Sequence, residues 1–203
     1  MKNKIYLFTL IAALLGTQNL NAQHKYALIF GSHDDGDSKQ MLYSERSGNQ
    51  QEAIWNDSYL MWELLLEKDF TNENIYFLYD QGQDYVRTPN SNVFDRYDPR
   101  VKHDSIIDPD VGVLTDMSAN KANMQAVLTG FQTGSNGFPK LNPEDFLVVL
   151  IYGHGKKDII ITDPGNPAED ISSEEMHNWL NPLPCRKKIF INAETENRLT
   201  FSF

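Results

Sequence analysis

Four apolar runs punctuate the chain, and the stretches between them are either helical in period or polar without period. The first run, KYALIFG from Lys25 to Gly31, reads as a short buried strand closed by glycine. GSHDDGDSKQMLYSERSGNQ follows as a polar loop rich in Gly and Ser. From about Gln51 to Lys68 the residues Ile54, Met61, Trp62, Leu65 and Leu66 recur at helical spacing, so one face of a helix packs inward. NIYFLYD, Asn74 to Asp80, is the second strand. Between about Gln81 and Thr115, Pro, Asn, Asp and Gly crowd out any period, and so long a loop is either functional or disordered. SANKANMQAVLTGF predicts a second helix over 118–131 with Ser118 as its N-cap. FLVVLIY, Phe146 to Tyr152, is apolar throughout, as a strand covered on both faces should be. KDIIITD predicts a small hairpin beside it. SSEEMHNWL carries Ser172 and Glu175 at capping-box spacing and starts a third helix, and KKIFINA, Lys187 to Ala193, is the fourth strand.

Strands alternating with helices predict an α/β fold, a parallel sheet with helices on both faces. In such sheets ligands gather beyond the carboxyl ends of the strands. Three segments meet that rule: the loop after Gly31, the tripeptide Gly153-His154-Gly155, and Ala193-Glu194-Thr195. His154 is therefore expected at the rim of the sheet. From spacing alone it either ends a strand and bonds a local carbonyl or serves as a general acid or base, with the flanking glycines letting a substrate carbonyl approach the Gly155 N–H.

The first residues, MKNKIYLFTLIAALLGTQNLNAQ, place Lys2 and Lys4 before an apolar stretch that ends in small and polar residues. This is the layout of a signal peptide, residues 1–22, and it predicts export, secreted or periplasmic, with no membrane span afterwards. Its removal takes two lysines and no acid, so the net charge moves from −10 to −12. An acidic chain without a basic stripe excludes nucleic acid as a partner. With Cys185 the one cysteine, no internal disulfide forms.

KYALIFG, WNDSYLMWELLLEKDFTNENIYFLYDQ, GVLTDMSANKANMQAVLTGF, FLVVLIYGHG and KKIFINA resemble, in this order, the first half of a legumain-type cysteine endopeptidase of the wider caspase-like clan. The likeness covers most of residues 25–193. It implies a caspase-like three-layer sandwich with a mostly parallel central sheet, incomplete in its C-terminal half, so that residues 23–203 form a partial peptidase domain. It further implies peptide or protein as the substrate, His154 as general base, Gly155 N–H in the oxyanion hole, and a residue shortly before the first helix that orients the histidine, a place near which Asn49 or Gln50 falls, with Asn49 given the role. No cofactor and no metal belong to that chemistry. Glu52 stands about where the family's specificity-giving basic residue falls, so a preference for Asn is not implied.

The family carries its nucleophilic Cys immediately after the fourth strand, and here Ile191-Asn192-Ala193 is followed by Glu194. The Ser-Gly that follows in the family is absent as well, which reads as a frameshift or truncated reading frame and predicts that the polypeptide as written does not cleave peptides. Cys185 precedes the fourth strand, so it is expected at the opposite rim as a structural thiol. Glu194 beside an imidazole would hold His154 protonated, which opposes its use as a base. Two other readings use the same rim. His33, Asp34, Asp35 and Asp37 would ligate a divalent metal, although a solvated acidic loop accounts for HDDGDS more simply. Alternatively the rim is a noncatalytic peptide-binding cleft. Met61 and Trp62 are read as core, His103 and His177 as surface, His24 as part of the mature amino terminus, and the fourth strand as a sheet edge.

Overall fold

The computed structural model describes residues 23–32, 44–84, 101–102, 106–107, 113–153, 155–156, 158–160, 162 and 166–194, with the backbone alone at 44–53, 56, 101–102, 106–107, 156 and 194. Four strands, β1 (Lys25–Gly31), β2 (Ile75–Tyr79), β5 (Phe146–Gly153) and β9 (Lys187–Glu194), form one sheet in the order β2-β1-β5-β9. All three pairings are parallel, with Ala27 opposite Ile75, Leu28 opposite Val149, and Leu150 opposite Ile191. Each strand coincides with one of the four apolar runs. β1, β2 and β5 are buried almost throughout because helices cover both of their faces, whereas β9 is largely exposed.

On one face α1 (Ser44–Glu67) packs over Ala27, Ile29, Phe77, Val148 and Leu150. Trp55 is completely buried there, with its ring 4.8 Å from that of Tyr79 and 5.6 Å from that of Phe77. On the other face α2 (Lys121–Thr133) and α3 (Ser173–Leu180) bury Met124, Val127, Leu128, Phe131, Met176 and Leu180 against Leu28, Phe30, Val149 and Ile151. The protein is thus α/β, with a parallel central sheet between helical layers.

Several boundaries differ from the sequence reading. The first helix begins at Ser44 and not near Gln51, so SERSGNQ, polar throughout, is helical as well; the apolar period that locates a helix marks only the part touching the core. Asn49 consequently lies within α1 and not before it, which corrects its expected place in the loop. Tyr59 and Trp55 join Ile54 and Leu65 as the buried face of α1, while Met61, Trp62 and Leu66 are half-buried, because the helix leans its aromatics onto β2. Trp62 also donates from Nε1 to Asn72 Oδ1 at 3.0 Å. The N-cap of α2 is Asn120, whose Oδ1 accepts from Asn123 N at 2.8 Å; Ser118 instead accepts from the Asn120 and Asn123 side-chain amides. At α3 the expected cap is present in full, Ser172 Oγ accepting from Glu175 N and Glu175 Oε2 from Ser172 N.

The long connection after β2 contains a short antiparallel pair, β3 (Val101–Lys102) with β4 (Ile106–Ile107). Its return is pinned: Asp84 accepts from Leu114 N, Thr115 N and Thr115 Oγ1, and Met117 bridges Leu78 in parallel. Beyond β5 the expected hairpin is a three-stranded antiparallel sheet of β6 (Gly155–Lys156), β7 (Ile159–Ile160) and β8 (Ile171–Ser172). His24 extends the β1 side of the main sheet, its N donating to Asp145 Oδ1 and its carbonyl accepting from Phe146 N. Among the described residues no helix is long and apolar enough to cross a membrane.

Candidate functional site at the carboxyl rim

Parallel pairing sends every strand of the main sheet toward the same end, so residues just past the strands line one rim. Ser32 N donates to Tyr152 O at 2.8 Å, which carries the β1–β5 ladder one residue beyond Gly31. Asp80 N donates to Gly31 O at 3.1 Å on the other side. Gly153 is in register with Glu194. Asp80, Ser32, Gly153 and Glu194 therefore succeed one another across β2, β1, β5 and β9, with neighbouring backbones roughly 4.8 Å apart.

Gly153 is required where it stands. Its φ is +154°, and a Cβ built on it would collide with Ser32 Oγ. The Ser32 hydroxyl thus fills the space that a side chain at 153 would take. Ser32 is 2% exposed, and among the described residues its Oγ meets no hydrogen-bond partner. A buried hydroxyl without a partner is costly, about 1–3 kcal/mol, so this group is held at the rim against its own solvation preference. Ser58 Oγ on α1 shares that condition on the opposite face, close to Gly31.

Tyr152 ends β5 on the α1 side. Burial first, and then the charge of Asp57, push its phenol up to about 12, so it stays neutral and keeps its donor proton at physiological pH. Desolvation also raises the Asp57 carboxyl, although the residue as a whole is exposed. These two groups form a neutral donor and a reluctant carboxylate beside the carboxyl end of β5.

Of the residues expected from the sequence, Glu194 closes β9 with its backbone paired to Gly153, and Gly155 is buried in β6, paired with Ile160. His154, between them, lies outside the described residues, as do His33, Asp34, Asp35, Asp37 and His103. Asn49 is in α1, where only its backbone is described, as is Glu52. Cys185 is 1% exposed in the core on the α2 and α3 side and precedes β9, whose eight residues separate it from Glu194 by roughly 23 Å. Burial pushes its thiol up, against the lowering effect of Lys188, which makes it an inert core group. Among the described residues, no group of three or more His, Cys, Asp or Glu side chains is placed to hold a metal ion.

Of these residues, Gly153 belongs to the Gly153-His154-Gly155 rim segment read from the sequence, while Ser32, Tyr152 and Asp57 are not singled out there. A signal for Ser32 was present, since it stands at the end of an apolar run flagged as a rim segment. The other two depend on how α1 lies against β5. Compared with known proteins, the chain matches no protein-family model and no curated relative.

Proposed function

We propose that the carboxyl rim of this sheet is the peptide site of a legumain-type, caspase-like cysteine endopeptidase scaffold whose cleavage chemistry is lost at position 194. The observation that supports this reading is the parallel pairing of β5 with β9 and the register of Gly153 with Glu194. The residue after Gly153 is His154, so the sequence positions of base and missing nucleophile follow two adjacent, co-directional strands.

In such a site the histidine would take a proton from the nucleophile as it attacks the scissile carbonyl, and return it to the leaving amine. A carboxylate at 194 has no proton to give at neutral pH. It instead favours the imidazolium, which removes the base. The rim then retains peptide recognition without turnover. Export through residues 1–22 belongs to the same proposal.

Hydrolysis of fluorogenic peptides containing Asn or Asp, together with calorimetric titration of the corresponding uncleaved peptides, tests the reading. The expected result is no turnover and measurable peptide binding that weakens in His154→Ala. Turnover lost in His154→Ala would refute the loss of catalysis, and absence of binding to any peptide would refute the site.

A further inference from the structure

β9 is one of the two outer strands of the main sheet among the described residues, β2 being the other, and it is thinly covered on both sides. On the α1 side, Ile189 is 45% and Ile191 39% exposed, while α1 makes its main contacts with β1 and β5. Leu60 and Leu64, one turn apart on α1, are exposed on that same side of the sheet. On the other side a cavity of about 380 Å³ opens between the end of α3 and β9, lined by Val149, Leu180, Asn181, Arg186, Lys188 and Phe190. An exposed apolar strip along an outer strand marks an interaction surface.

The charges at the two ends of this strand indicate what covers it. Arg186, Lys187 and Lys188 stand at its start and Glu194 at its finish, within a chain of net charge −10. Lys188 is committed, donating to Leu180 O and Leu183 O at the end of α3. Arg186 is 77% exposed and reaches Glu144 only at 3.9 Å, an exposed pair worth little. A strand that begins basic and ends acidic complements itself when a copy is laid beside it in the opposite direction.

We propose that β9 is the contact surface for a second copy of this chain, related by a two-fold axis that passes near Phe190. Side chains facing each other across two antiparallel strands share a face, so this arrangement sets Ile189 beside Ile191 of the second copy. It also brings Arg186 level with the second copy's Glu194. Both contacts occur twice, as an isologous interface requires. The apolar strip supplies the burial, and the end charges select the antiparallel direction over the parallel one, which would oppose like charges.

Sedimentation equilibrium of residues 23–203 tests this. The wild-type chain is expected to dimerise, and Ile189→Glu with Ile191→Glu to leave a monomer whose circular dichroism is unchanged. Arg186→Glu and Glu194→Arg are each expected to weaken the dimer about tenfold, and their combination to restore it. A wild-type monomer at all concentrations, a dimer indifferent to both isoleucine changes, or charge reversals that fail to compensate each other would overturn the proposal.

Discussion

Ser32 Oγ occupies the space that a side chain on Gly153 would need. The end of β1 and the end of β5 are thereby locked together at the residue that precedes His154. The Ser32 N to Tyr152 O hydrogen bond joins the two backbones at the same level.

Gly153→Ala should therefore destabilise the protein by about 2 kcal/mol or more, combining positive-φ strain with overpacking. Ser32→Gly removes the hydroxyl from that space and should recover about 1 kcal/mol of the loss in the double variant, leaving the strain at φ +154°. Urea unfolding of the two single variants and the double variant reads both figures.

Trp55 is the largest side chain buried without exposure among the described residues, and its ring meets those of Phe77 and Tyr79 on β2. Trp55→Ala is expected to cost about 3–5 kcal/mol, close to the whole stability of a small domain. Chemical denaturation should show the midpoint collapse. Trp62→Ala, half-buried beside Tyr59, should cost distinctly less.

The α3 cap carries a pH dependence. Desolvation is the largest influence on Glu175 and acts upward, but hydrogen bonds from Lys121 and Ser172, with the Lys121 charge 2.7 Å away, together hold its carboxyl below its ordinary 4.5. A carboxyl depressed on folding stabilises the native state above its unfolded value and loses that contribution as pH falls through the folded one. The stability difference between wild type and Glu175→Gln should thus be constant at neutral pH and shrink below about 4.5. Ser172→Ala should cost about 1 kcal/mol. Thermal melts across the acidic range measure both.

Cys185, 1% exposed and with its thiol pushed up by burial, should react with a thiol reagent only as fast as the protein opens. Labelling in native buffer is expected to be slow and incomplete, and rapid in denaturant. Prompt native labelling would contradict its place in the core.

The four strands and the three helices were legible because each combines an apolar run or stripe with a recognisable end signal. What the sequence concealed follows one pattern. SERSGNQ carries no apolar period, so no sequence pattern marks the first two turns of α1 and Asn49 reads as a loop residue. Ser118 and Asn120 are both good caps two residues apart, and only the side-chain amide of Asn123, which Ser118 accepts, shows why the helix starts after Asn120. The rim could be read from strand ends, because parallel pairing makes those ends converge. The burial of Ser32 could not, since it depends on Gly153, which lies far away in the chain. The alternation in KKIFINA was visible, but which face of it stays bare depends on where α1 packs.

The central claim is that position 194 is the vacated nucleophile position of a histidine-assisted site. A peptidyl chloromethyl ketone applied to Glu194→Cys, in a Cys185→Ser background, tests it most directly. The account predicts alkylation at residue 194 about a hundredfold faster than in the same protein carrying His154→Ala, the scale of general-base assistance. Alkylation no faster than that of an ordinary exposed thiol, and indifferent to His154, would contradict it.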